Sequence, residues 1–352
     1  MSDVIDTLLQ LIDIPSETGR EGRICTFLAQ ELMPLFGHDG VNRISNSLVV
    51  GKRTGRPLIS LYGHIDTVPN QGQGPAFKQK GRVHGLGSTD MKSGVAVMIE
   101  LMRDEEVRDG PYDVVCVFYE AEEGPMAGNG LEKVLVNTPW LTTSEVGVVL
   151  EPTDLAIELG CNGTINAAAT FDGKAAHSAR PWLGENAVTK AASWLEKVGR
   201  IEPRPVDVGG LEFVEVVGVT QAHGGVANNV IPSSFTCNIN YRFAPVRTIE
   251  EATDHLRAIV GQGPDRFEVV DAAPAGPVAA GNEHVTRLAS MGEALFRPKQ
   301  GWTDVARLAE YGIPAVNYGP GDPDLAHIPE ESVSIDNIEM CLDALWKFLT
   351  KT

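Results

Sequence analysis

Apolar residues recur first at helical spacing. Val4, Ile5, Leu8, Leu9 and Ile12 share one side of a helix expected over about 3–12, with Pro15 just beyond its end. Ile24, Phe27, Leu28, Leu32 and Leu35 repeat the pattern from about Glu21, and Gly37 is placed to cap that second helix. The pattern then shortens to continuous apolar runs at 57–62, 114–119 and 146–150, each the length of a buried strand. Helix-like segments at 91–103 and 130–136 alternate with these runs, and a late run at 314–318 precedes a terminal helix at 335–349. Strands that are apolar throughout need cover on both sides. The expectation is therefore an α/β fold, with a mixed, largely parallel sheet and helices on both faces.

Between 164 and 276 the rhythm changes. Residues 164–172 alternate as a strand, 186–198 read as a helix, 211–221 and 233–243 as two strands, 248–260 as a helix and 266–271 as a last strand. That order, β-α-β-β-α-β, is the ferredoxin-like α+β arrangement. It is expected as a separate domain, 164–276, inserted into a discontinuous larger domain formed by 1–163 and 277–352. Two domains also suit a chain of 352 residues, at roughly 150 residues per domain.

Composition narrows the classes of partner. With 29 basic and 47 acidic residues the formal charge is −18, so nucleic acid and anionic membranes, which select basic surfaces, are not expected partners. No apolar run approaches the roughly 20 residues that span a bilayer. The opening residues, MSDVIDTLLQ, are acidic where a secretory signal is basic. Cys25, Cys116, Cys161, Cys237 and Cys341 are an odd number, scattered, with no C-x-x-C. That argues against a disulfide framework or a cysteine zinc site and fits a cytoplasmic protein, with Cys116 as core packing.

The candidate chemistry follows the strands. His64-Ile65-Asp66 follows the first run, Glu120-Ala121-Glu122-Glu123 the second and Glu151 the third; the late run leads into a loop that reaches His327, and Asp90 precedes a helix. In open α/β sheets the ligand crevice lies beyond the carboxyl ends of the strands, so residues from 64 to 327 are expected to meet at one edge. Imidazoles and carboxylates are zinc ligands, and a catalytic zinc keeps a position open for water. Two zinc ions bring +4, three carboxylates (Asp90, Glu123, Glu151) bring −3, and one hydroxide completes neutrality. Asp66 is close enough in sequence to hold the other ring nitrogen of His64. Of two adjacent glutamates, one can ligate metal while the other takes a proton from water. Gly85-Leu86-Gly87 resembles a phosphate-binding glycine loop, but Asp90 stands where its third glycine belongs and repels an anion.

These motifs (H-x-D after a strand, G-x-x-D-M-K-x-G, E-E-G, E-P-T and a late H-x-P-x-E) resemble the di-zinc aminoacylase, carboxypeptidase and deacylase family over nearly the whole chain. The match includes His177-Ser178-Ala179-Arg180-Pro181 and Asn229-Val230-Ile231-Pro232 in the insertion. The resemblance implies two Zn2+ per subunit, with Co2+ as a substitute. His64 and Glu151 are implied to hold one, Glu123 and His327 the other, with Asp90 bridging. Glu122 is implied as the general base and Asp66 as the residue orienting His64. His177, on a lid and dimerisation domain, is implied to reach an active site across a homodimer interface. Asn229, Arg242 and Thr303 match substrate-facing positions, and Arg180 and Arg307 are further candidate cations. The implied reaction is metal-dependent hydrolysis of a small N-acyl amino acid, N-succinyl-LL-2,6-diaminopimelate, to succinate and diaminopimelate for lysine biosynthesis. Acetylornithine deacetylase, aminoacylase and carboxypeptidase activities share the plan, and a non-catalytic metal-binding protein is the alternative of another class. In one loop the chain departs from the pattern G-G-T-S-D of many succinyl-removing members and reads Gly301-Trp302-Thr303-Asp304.

Overall fold

The apolar runs form the middle of an eight-stranded sheet in the computed structural model, which describes residues 4–351. Across the sheet the order is Val41–Ile44, Ser47–Val50, Asp113–Tyr119, Leu58–His64, Ser144–Val149, Ala315–Asn317, Ile157–Leu159 and Phe296–Pro298. The four strands from Asp113–Tyr119 to Ala315–Asn317 run parallel, and antiparallel strands flank them. Every residue of Leu58–His64 and Asp113–Tyr119 is buried, as strands covered on both faces must be. The helices Val4–Ile12, Ser93–Arg103 and Ile335–Thr350 pack on one another, and Gly130–Asn137 packs on Ser47–Val50. Asp3, the expected first residue of the first helix, lies outside the described residues. The second helix is Gly22–Phe36, and Gly37, at φ 68°, donates its N–H to the Met33 carbonyl at 2.8 Å. Among the described residues no helix is long and apolar enough to cross a membrane. All five cysteines are buried free thiols.

One expected helix starts later than its pattern. Asp90 (φ −125°, ψ 99°) and Met91 (φ −128°, ψ 36°) are not helical, and the regular helix begins at Ser93. A small three-stranded sheet is also additional to the expected elements: Phe77–Gln79 pairs with Arg82–His84, which pairs with Ser332–Ser334. These strands are only three residues long and carry no alternation to announce them.

The chain divides into two units. The larger runs up to Leu159 and continues over Ala279–Arg297 and from Arg307; the second is Gly160–Val278 with Pro298–Ala306. Within the second, an antiparallel sheet runs in the order Arg204–Val208, Leu211–Gly224, Ser234–Phe243, Gly163–Asp172, Arg266–Ala273. The helices Ala187–Val198 and Ile249–Val260 pack their buried sides, with Trp194 and Leu256, against Phe171, Tyr241 and Phe243. Asn186 caps the first helix, and Thr248 with Glu251 forms a capping box on the second. The order is the expected β-α-β-β-α-β with one more edge strand, Arg204–Val208. Its Pro205 masks it in the sequence and is tolerated because an edge strand leaves one row of N–H groups unused. Boundaries at 164 and 276 leave out Pro298–Ala306. That segment belongs with the second unit: Asn162 donates to the Gln300 carbonyl at 3.1 Å, and the Trp302 indole to the Pro274 carbonyl at 3.1 Å.

Candidate metal centre

Three parallel strands end level with one another. His64 stands opposite Tyr119 across one pair, and the Leu150 N–H reaches the Tyr62 carbonyl at 2.9 Å across the other. The residues that follow each strand therefore emerge side by side. Asp90 is brought there by its own turn. Gly87 takes φ +78°, and a Cβ on Gly94 would lie 2.4 Å from the Leu150 carbonyl oxygen, so only glycine lets Ser93–Arg103 press against the strand end beside Glu151. Both glycines belong to the G-x-x-D-M-K-x-G motif, which here has a steric reason. On the far side of the turn Lys92 is buried and donates to the Leu11 and Ile14 carbonyls at 3.0 and 2.9 Å, pinning the turn to the end of Val4–Ile12. Burial pushes its pKa down to about 7.

Five side chains meet as two triads that share Asp90: His64, Asp90 and Glu151; and Asp90, Glu123 and His327. In each, the potential ligand atoms lie within 4.8 Å of one another. His64 Nε2 is 3.0 Å from Asp90 Oδ1 and 3.9 Å from Glu151 Oε1. His327 Nε2 is 3.3 Å from Asp90 Oδ2 and 2.8 Å from Glu123 Oε1. The two oxygens of Asp90 thus face different triads. The first triad is buried, whereas the His327 side chain is 49% exposed, so the second opens to solvent.

The protonation pattern fits a centre built for cations. Burial presses the His64 imidazole toward neutrality, but hydrogen bonds to Asp66 and Asp90 outweigh it and hold the pKa well above the ordinary value. Hydrogen bonds to Asp90 and then Glu123 push His327 up to about 10. Burial opposes ionisation of Asp90, yet His327 and His64 hold its carboxyl well below the usual range. Three carboxylates drawn together demand positive charge. Protons on the imidazoles supply it in the metal-free protein, and metal held by the same nitrogen and oxygen donors would supply more.

Asp66 does more than face His64. Its carbonyl and Oδ1 lie 3.1 and 3.5 Å from His64 Nδ1, which directs Nε2 to the triad. Its buried carboxylate also accepts the Glu122 N–H at 3.0 Å, the Glu123 N–H at 3.1 Å and the Thr18 hydroxyl at 2.9 Å. It therefore positions the glutamate turn, in which Ala121 takes φ +59°. Glu123 faces His327, and Glu122 belongs to neither triad. Gln71 and Gln73, unmarked by any motif, donate to the His327 and Ile328 carbonyls at 3.0 and 3.2 Å.

His177 and the expected substrate-facing residues Asn229, Arg242 and Thr303 lie in the second unit. The H-S-A-R-P and N-V-I-P segments are neighbours there: His177 bridges to Val230, and the Ser178 N–H reaches the Asn229 carbonyl at 2.9 Å. His177 is exposed and its Nδ1 accepts the Ala179 N–H at 3.1 Å, so the neutral imidazole carries its proton on Nε2. Asn229 is exposed, and Arg242 is half-buried on Ser234–Phe243. Thr303 is buried, and its carbonyl lies 3.6 Å from the Cys161 thiol. Arg307, in the larger unit, is buried and pairs with Glu132 at 2.6 Å, which commits its guanidinium to the fold.

Comparison with known proteins supplies a relationship. The pattern of Peptidase family M20/M25/M40 matches residues 60–351. A Mycobacterium tuberculosis protein provisionally named succinyl-diaminopimelate desuccinylase is 37% identical over 348 residues, covering 99% of this chain and 98% of that protein. The succinyl-diaminopimelate desuccinylase of Corynebacterium glutamicum is 35% identical over 364 residues, covering 100% of this chain and 97% of that protein. Among solved structures, a tripeptidase from Staphylococcus aureus superposes with a TM-score of 0.80 at 22% identity, covering 99% of this chain and 97% of that one.

Proposed function

The chain belongs to Peptidase family M20/M25/M40 and is a metal-dependent amide hydrolase; from that premise we propose that it removes succinate from N-succinyl-LL-2,6-diaminopimelate at a two-zinc centre. The observation that carries the centre is the sharing of Asp90, one oxygen toward His64 and the other toward His327. In this reading His64 and Glu151 hold one metal, His327 and Glu123 the other, and Asp90 bridges. Bound there, the two cations supply the Lewis acidity that activates water and polarises the amide carbonyl. Glu122, held through its backbone by Asp66, takes the proton from the attacking water and returns it to the departing nitrogen. His177 of a second copy donates from Nε2 to the carbonyl oxygen as negative charge develops; its support is the tautomer fixed by Ala179.

The names of the two relatives support the substrate. A polyanionic substrate is not steered by a chain at −18, so affinity rests on local cations, Arg242 and Arg180, with Asn229 and Thr303 as further contacts. The test is a panel of N-succinyl-diaminopimelate, N-acetylornithine, other N-acyl amino acids, dipeptides and tripeptides, assayed with zinc. The succinyl substrate should give the highest kcat/KM, and turnover should vanish with a chelator and return with zinc. A higher kcat/KM on another member of the panel replaces the substrate; turnover indifferent to chelation removes the metal. Mixing inactive His177→Ala and Glu122→Ala proteins should restore activity, because one hybrid site is complete. A fully active monomer in light scattering contradicts the shared site.

A further inference from the structure

We propose that Glu331 is a positioning residue of the metal centre, fixing the distance between Asp90 and His327 by fastening their two loops together. The inference rests on the metal-centre reading above. Glu331 is buried and lies just before Ser332–Ser334, whose pairing with Arg82–His84 sets it beside the turn at 85–90. One oxygen of its carboxylate accepts the Gly87 N–H at 2.8 Å; the other accepts the Thr89 N–H at 2.8 Å and the Asp90 N–H at 3.1 Å. Its own carbonyl accepts the Gly85 N–H at 3.2 Å. Asp90 and Met91 depart from helical geometry, so this turn lacks a regular ladder for its amides. A carboxylate with two oxygens can accept all three donors, whereas an amide side chain offers one oxygen and sets an NH2 against a backbone N–H.

A second latch joins the same two loops. The Asp322 N–H reaches Thr89 Oγ1 at 2.9 Å, and a Cβ on Gly321 would lie 2.3 Å from the Thr89 carbonyl oxygen. The loop carrying His327 is thus tied at 322 and at 331 to the turn carrying Asp90. His327 itself is half-exposed and sits at φ +62°, so side-chain packing alone does not hold it. Metal–ligand distances tolerate about 0.2 Å, and residues that hold ligands in place carry about 10–100-fold in metal affinity.

The test titrates Zn2+ and Co2+ into metal-stripped wild type, Glu331→Gln and Glu330→Gln, in competition with a chromogenic chelator, and records the visible spectrum of the cobalt forms. Glu330 is an exposed neighbour with no role in the argument. Glu331→Gln should bind metal about 10–100-fold more weakly with an altered cobalt spectrum. Glu330→Gln should match wild type throughout. Should Glu331→Gln fail to fold, Thr89→Val, which removes only the second latch, should weaken metal binding in the same direction by a smaller factor. Wild type that binds two metals beside a Glu331→Gln variant of equal affinity and spectrum overturns the proposal alone, as does normal affinity in Thr89→Val where that variant stands in. Wild type that takes up no metal overturns the metal-centre reading and the proposal with it.

Discussion

Asp66→Asn isolates the residue on which both the first histidine and the glutamate turn depend. Four donors converge on the Asp66 side chain: His64 Nδ1, the Glu122 and Glu123 amides and the Thr18 hydroxyl. Asparagine offers one oxygen. If its NH2 replaces Oδ2, Thr18 can turn toward the Thr67 carbonyl, 3.4 Å away, but the Glu123 N–H has no acceptor. If it replaces Oδ1, the Glu122 N–H is stranded and His64 loses its carboxylate. Either orientation leaves one amide unpaired, at about 1–3 kcal/mol, and removes charge assistance from the rest. The expected loss of unfolding free energy is about 2–4 kcal/mol. The displaced turn carries Glu122, the proposed general base, so kcat should fall at least about 10-fold even at saturating metal. Urea unfolding with and without zinc reads the first quantity, and steady-state kinetics at saturating zinc the second. A variant that binds metal more weakly yet recovers full kcat with added zinc would falsify this account, because Asp66 would then serve His64 alone.

Other expectations follow from the same geometry. Glu122→Ala should keep its zinc and lose about two to four orders of magnitude in kcat; loss of metal instead means that the roles of Glu122 and Glu123 are exchanged. Arg242→Ala should raise KM far more than it lowers kcat, and an unchanged KM removes Arg242 from the substrate site. In the metal-free protein His327 holds its proton up to about pH 10, whereas an unfolded imidazole releases it near 6.5. The folded state therefore binds more protons across that window. The stability from the His327 ion pairs is complete below about pH 6.5 and lost as pH rises toward 10. The advantage of metal-free wild type over His327→Asn in urea should shrink over that range, and an advantage that grows with pH contradicts the assignment.

What was legible in the sequence was whatever repeats locally. Apolar runs at 57–62, 114–119 and 146–150 announced parallel strands, and the polar residues directly after them announced where side chains would gather, because a strand's end is fixed by its own pattern. The ferredoxin-like order followed from the alternating strands and the two helix-like segments between them, which Asn186 and Thr248 cap in the structure. What escaped depends on partners distant in sequence. Ser332–Ser334 is a strand only because Arg82–His84 lies beside it, and the H-x-P-x-E motif marks Glu331 without showing which amides that pairing brings to it. The second task of Asp66 needs the left-handed turn at Ala121, which returns two amides to its carboxylate. Arg307 looked free as a cation in the sequence and is occupied by Glu132, 175 residues away.

Diffraction from crystals loaded with zinc, recorded on both sides of the zinc absorption edge, reaches the central claim most directly. Two anomalous peaks should appear, one among His64, Asp90 and Glu151 and one among Asp90, Glu123 and His327, with the Asp90 carboxylate between them. Peaks elsewhere, or none at these five residues in protein that turns over substrate, would contradict it.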